Sequence, residues 1–279
     1  MIASIRAALF ADRRRPAVWS ITVAWLVLAL AFGIGIPYIV YSVLSGGDDP
    51  AAAQAILEAL LPAQLVPTGI ALFPLFGGAI VVILGALVVG NEYRWGTLNL
   101  IFTQRPRRVQ VLGGHAVALA LLTLILSVAT FVVVAIATAV LAAVEGQAAN
   151  WPSVGAIVRA VAAAWLICTA HACLGYFLAI VFRNTATAIA IGLLWTLVIE
   201  NAVSGMALVL TPFEYVQKLL LAPSSGALAG ALGAPSQFEG GTPGVVASSN
   251  GWLPMLVLIG YIVVTLGAAL WVADRRDVS

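Results

Sequence analysis

Gly90-Asn-Glu-Tyr-Arg-Trp-Gly-Thr-Leu-Asn-Leu-Ile-Phe-Thr-Gln-Arg-Pro-Arg-Arg108 is a charged stretch between two long apolar runs. It holds Glu92 and four arginines, Arg94, Arg105, Arg107 and Arg108, in a chain only 9% charged. Charges are costly in hydrocarbon, so the stretch lies outside a bilayer and the flanking runs cross it. Arginine favours the cytoplasmic side, which makes this stretch a cytoplasmic elbow.

The rest of the chain agrees. Hydrophobic residues make up 62% and mean hydropathy is +1.09, against ~45–50% apolar residues in soluble domains. Six apolar runs, near 17–43, 67–90, 111–143, 156–182, 186–210 and 252–273, each match the length of a membrane-crossing helix. The expected fold is all-α, one six-span transmembrane domain over residues 1–279. The arginine-rich start resembles a signal peptide, but the run from Ala17 to Leu44 is too long for one and reads as an uncleaved first span.

With both termini inside, Arg6, Arg13, Arg14, Arg15, Arg94, Arg105, Arg107, Arg108, Arg183, Arg275 and Arg276 are cytoplasmic. Only Arg159 and Lys218 fall on the outer side, so eleven of the 13 basic residues obey the orientation rule. Asp48, Asp49, Glu58, Glu145, Glu214 and Glu239 are external.

Two outer connections are long. In the first, Asp49-Pro50 reads as an N-cap with proline at the first helical position, starting a short helix over Ala51–Leu61. In the second, Pro212–Leu221 places Phe213, Val216, Leu219 and Leu220 on one face of an interfacial helix. Pro223–Asn250 is rich in Gly, Ser, Ala and Pro and reads as an irregular lid. Trp19, Trp25, Trp151, Trp252 and Trp271 read as interface anchors.

Three groups of residues invite a chemical reading. In the elbow, Thr97 caps an expected helix over Leu98–Gln104, with Leu98, Ile101 and Phe102 on one face and Pro106 ending it. A plain basic loop touching anionic lipid is the simpler account of the same arginines. In the fifth span, Gly192, Thr196, Glu200 and Ser204 recur every four residues and form one small, polar stripe. An intramembrane carboxylate either lines a path or holds helices together. In the fourth span, Cys168, His171 and Cys173 offer too few ligands for a closed metal site and read as polar packing.

The chain lacks the phosphate-binding Gly-x-x-x-x-Gly-Lys-Ser/Thr loop, since its only lysine is Lys218. It also lacks His-Glu-x-x-His and Gly-x-Ser-x-Gly, which speaks against protease and hydrolase chemistry. Nothing points to nucleic acid.

Glu92-x-x-x-Gly96-Thr97-Leu98, then Pro106-Arg107-Arg108, directly after the second span, resembles the ABC-2 family of exporter permeases. The closing Asp274-Arg275-Arg276-Asp277-Val278 and the arginine-rich lead are similar to that family too, so the resemblance covers essentially the whole chain. One departure is His115, where many members carry lysine. The resemblance implies a multi-pass permease of the cytoplasmic membrane that is not itself an enzyme and exports cargo. Two separate ATPase subunits would bind ATP and Mg, and a second permease copy or paralogue would complete a dimer. It implies that Glu92, Gly96, Thr97 and Leu98 sit in or beside the ATPase cleft, flanked by Arg105, Arg107 and Arg108. Thr196, Glu200 and Ser204 are the candidate pathway or interface residues. The rival reading is a membrane scaffold, sensor or assembly subunit.

Overall fold

The computed structural model describes residues 2–47, 49–97, 108–207 and 209–275. Helix α1 (Ile2–Arg13) leads into the first long helix, α2 (Pro16–Ser45). A short helix, α3 (Pro50–Leu60), precedes α4 (Pro62–Arg94). Then come α5 (Arg108–Val144), α6 (Val154–Phe182) and α7 (Thr185–Ala207). Helices α8 (Thr211–Gln217) and α9 (Leu221–Gly230) fill the connection to α10 (Trp252–Arg275). The six helices α2, α4, α5, α6, α7 and α10 are long and apolar enough to cross a membrane, and no strand occurs among the described residues. The chain is an all-α, multi-pass membrane protein.

Span 4 (α6) is the hub. It packs against α4, α10, α5 and α7, while α2, α7 and α10 leave most of their surface outward. The closest crossing is α4 on α6. A Cβ on Gly85 would lie 2.0 Å from the Ala172 carbonyl oxygen, and one on Gly175 would lie 2.1 Å from the Val82 carbonyl oxygen. The backbones therefore touch in both directions, which only glycine permits; small residues let helices approach where lipid offers no hydrophobic drive.

Among the described residues three π-helical turns interrupt the spans: Ala31–Gly35 in α2, Phe73–Gly77 in α4 and Leu194–Ile199 in α7. The first two have a local cause. Pro37 and Pro74 lack the N–H that would bond four residues back, and their rings crowd that carbonyl. A wider turn relieves the crowding. In α7 the wider turn offsets the drift of a four-residue spacing around a 3.6-residue helix. It leaves Gly192, Thr196 and Glu200 all buried on one side.

Asp49 caps α3 as its sequence implies, accepting from the Ala52 N–H at 3.0 Å with Pro50 at the first position. At the same end of the bundle, Tyr38 and Tyr41 of α2 donate to the two oxygens of Glu145, just past the end of α5, at 2.8 and 2.9 Å.

Two expectations are corrected. The stretch expected as an irregular lid begins as helix α9. Its glycines are packing surfaces: a Cβ on Gly226 would meet the Gly244 carbonyl at 1.9 Å, and one on Gly230 the Val246 carbonyl at 2.2 Å. Trp25 is no interface anchor. It is 1% exposed, donates to the Thr130 hydroxyl at 2.8 Å and packs on Phe73. Trp19, Trp151, Trp252 and Trp271 remain exposed.

Candidate functional site: the elbow hub and a buried carboxylate

The arginine-rich end of α4 is a junction of four helices. Arg15, in extended conformation between α1 and α2, reaches three acceptors. Its guanidinium donates to the Asp12 carboxylate at 3.2 Å, to the Val88 carbonyl at 2.9 Å and to the Glu92 carboxylate in a close ion pair. Asp12 and Glu92 are 1% and 5% exposed. One oxygen of each has no hydrogen-bond partner among the described residues. Two buried carboxylates thus share one guanidinium. His115 of α5 stands close enough to act on Asp12 electrostatically, while its own Nδ1 bonds the Val111 carbonyl at 3.0 Å. Burial pushes the Asp12 carboxyl up from 3.8 to about 6; Arg15 and His115 pull it down, and Glu92 raises it.

Helix α1 reaches this junction by lying on α5. A Cβ on Gly114 would meet Ser4 at 2.7 Å, so glycine sets the approach. On the other side of α4, Gly90 is closed by Thr185 at the start of α7, whose hydroxyl donates to the Asn91 side chain at 3.3 Å. Helix α4 is therefore clamped by α1, α2 and α7 within a single turn of the elbow.

Past the clamp the chain turns outward. Trp95 is 65% exposed, and Gly96 adopts φ +66 with nothing near its missing side chain. A left-handed φ suits glycine, so Gly96 redirects the chain into Thr97, which is half-buried. Leu98, Arg105 and Arg107 lie outside the described residues, as does the helix expected over 98–104. Arg108 opens α5, and its guanidinium donates to the Ala273 carbonyl at 3.3 Å, near the end of α10. A cation there suits the helix C-terminus.

The predicted elbow residues therefore divide. Glu92 is committed to Arg15 inside the protein, Arg108 braces α10, and Gly96 with Trp95 forms the outward turn. Sequence reasoning missed Arg15 as the partner of Glu92, and Asp12 as the second carboxylate on the same guanidinium. It also passed over Trp95, although a tryptophan among elbow arginines was a visible signal.

Glu200 occupies a second polar centre, at the far end of α7. It is fully buried. Its carboxylate accepts from Trp195 Nε1 at 2.7 Å, from the Leu221 N–H at 3.2 Å and from the Ala222 N–H at 2.5 Å. This accounts for the start of α9 completely. Leu221 and Ala222 bond Glu200, Pro223 has no N–H, and the Ser224 N–H bonds the Leu220 carbonyl at 3.1 Å. Leu220 at the cap has no useful side chain, and a carboxylate from another helix does the capping. Thr196 and Ser204 turn their hydroxyls to carbonyls of their own helix, Gly192 and Glu200, at 2.9 Å each. The stripe faces packed protein, and Gly192 sits against Val82.

This geometry predicts the Glu200 variants. Glu200→Leu strands the buried Leu221 N–H at about 1–3 kcal/mol, and the half-buried Ala222 and indole N–H groups at less. Glu200→Gln also costs, because one of its two terminal atoms becomes a donor facing a donor. Thermal stability of the purified protein should fall for Gln and fall further for Leu. Equal stability of Gln and wild type would remove the capping role.

In α6, His171 is fully buried with Nδ1 on the Ile167 carbonyl at 2.9 Å. No group of three metal-binding side chains occurs among the described residues.

A family described as "Protein of unknown function (DUF2705)" matches residues 64–279, most of the chain, and the chain belongs to that family. No curated protein matches it.

Proposed function

We propose that this chain is the membrane-spanning permease subunit of an ABC-type exporter. The observation that carries the reading is the root of the elbow: an exposed Trp95 and a left-handed Gly96 at the end of a helix held by Arg15 and by Thr185. A clamped helix moves as a body, so a push at the elbow reaches α1, α2 and α7 together. The Glu92, Gly96-Thr97-Leu98 and Pro106-Arg107-Arg108 pattern supports the same reading.

In this reading the arginine-rich end and both termini face the cytoplasm. Two ATPase subunits dock at the elbows of a permease dimer and bind ATP and Mg, and this chain performs no chemistry. Leu98, Arg105 and Arg107 meet the ATPase, Trp95 flanks it, and Glu92 transmits force inward through Arg15. Glu200 holds α7 and α9 as a unit, and the stripe it shares with Thr196 and Ser204 lies beside the cargo path.

Gly96 gives a clean test. Asparagine tolerates positive φ and proline does not. In proteoliposomes containing the ATPase, Gly96→Asn should keep ATP-driven export and Gly96→Pro should lose at least ~90% of it, with both inserting normally. Equal export in the two variants would return the elbow to a lipid-touching loop.

A further inference from the structure

At the end of the bundle away from the elbow, a cavity of about 700 Å3 opens between α2, α3, α4 and the 233–243 loop. That volume suits a drug-sized molecule, for which sites span ~300–1,000 Å3. Its floor is a stacked aromatic pair, Phe32 of α2 and Phe76 of α4, with ring centres 5.4 Å apart and planes at 18°. Both rings belong to the π-helical turns described above, so the floor is made where each span departs from regular helix. Beneath the pair lies a small void of about 20 Å3 against Trp25.

Most of the wall is apolar, with Pro37, Ile56 and Leu72 among its residues, and Gln64, Thr68 and Thr242 add neutral polar groups. Glu58 is the only charged side chain lining the cavity among the described residues. It sits on α3, exposed, with the Gln54 amide donating to one carboxylate oxygen at 3.1 Å. Thr68 already donates to the Ala59 carbonyl at 3.3 Å. An acid or phosphate would find no cation among the described lining residues. A positive charge would find a carboxylate at the rim and aromatic faces below, which attract cations.

We propose that this cavity is a binding site for a hydrophobic organic monocation, its apolar body on Phe32 and Phe76 and its charge directed at Glu58. Such binding is a property of this chain alone and does not depend on transport. Tetraphenylphosphonium is a suitable probe and tetraphenylborate its equal-sized anion. Equilibrium dialysis against the full chain in nanodiscs, with empty nanodiscs subtracted, should show saturable binding of the cation and none of the anion. Glu58→Gln should weaken cation binding about three- to fivefold, as for a partly screened charge. Phe32→Ala should weaken it about tenfold, and Glu214→Gln, on exposed α8, should leave it unchanged. Absence of saturable cation binding would overturn the proposal. So would equal binding of the anion, or wild-type affinity in both Glu58→Gln and Phe32→Ala.

Discussion

Arg15→Leu should destabilise the protein by about 3–5 kcal/mol, the scale for removing one partner of a buried ion pair. The cost comes from what stays behind. Asp12 and Glu92 would remain buried beside each other without their shared cation, and the Val88 carbonyl would lose a donor. Adding Glu92→Gln to Arg15→Leu should recover part of the loss, because it removes one stranded charge. Purified protein, heated and then scored for the monodisperse fraction, measures both. A single variant as stable as wild type would show that the hub holds nothing together.

The hub also carries a pH signature. Asp12 is raised in the folded protein, so its protonated form is favoured there. Its contribution to stability is fully present below its ordinary value of 3.8 and is lost as pH rises through about 6. Arg15, His115 and Glu92 all act on this group. Asp12→Asn should flatten the decline across that window. In Arg15→Leu the largest lowering influence is gone, so the decline should extend to higher pH.

The second large effect belongs to the crossing of α4 and α6. Gly85→Leu or Gly175→Leu must force the two backbones apart, since even a Cβ would lie about 2 Å from a carbonyl oxygen on the other helix. Because α6 is packed by four other spans, separation at this point disturbs the whole bundle. Each variant should lose most of its folded, detergent-stable protein. Gly155→Leu and Gly267→Leu, where nothing lies within reach of a Cβ, should express like wild type. Equal yields from all four would show that the close crossing does not exist.

The spans were legible because long apolar runs admit only one solution in lipid. The sequence reading of 17–43 for the first became Pro16–Ser45, and 156–182 for the fourth became Val154–Phe182. Asp49-Pro50 was legible for a local reason, a cap and a proline side by side. Helix α9 was not. Its glycines looked like helix breakers, and they are the faces on which the 244–246 chain lies. Its cap, Glu200, stands 21 residues earlier, so no local signal marked its start. The burial of Glu200 followed from the cost of charge in a span, while its three donors followed only from the fold. The Arg15–Glu92 pair bridges 77 residues and joins two stretches that each looked like surface charge. Trp25 sits near a span end in sequence yet points into the core, a matter of helix rotation that hydropathy does not record.

If an ATPase docks at the elbow, photo-crosslinking in cells reads that contact directly. Benzoylphenylalanine placed at Trp95, which is 65% exposed beside the elbow, should form an adduct with an ATP-binding protein. The same group at Phe238, 70% exposed at the opposite end of the bundle, should not. An adduct with a protein carrying a Walker A motif at position 95 alone is the predicted result. Adducts with lipid only at position 95, or the same ATP-binding protein captured at both positions, would contradict it.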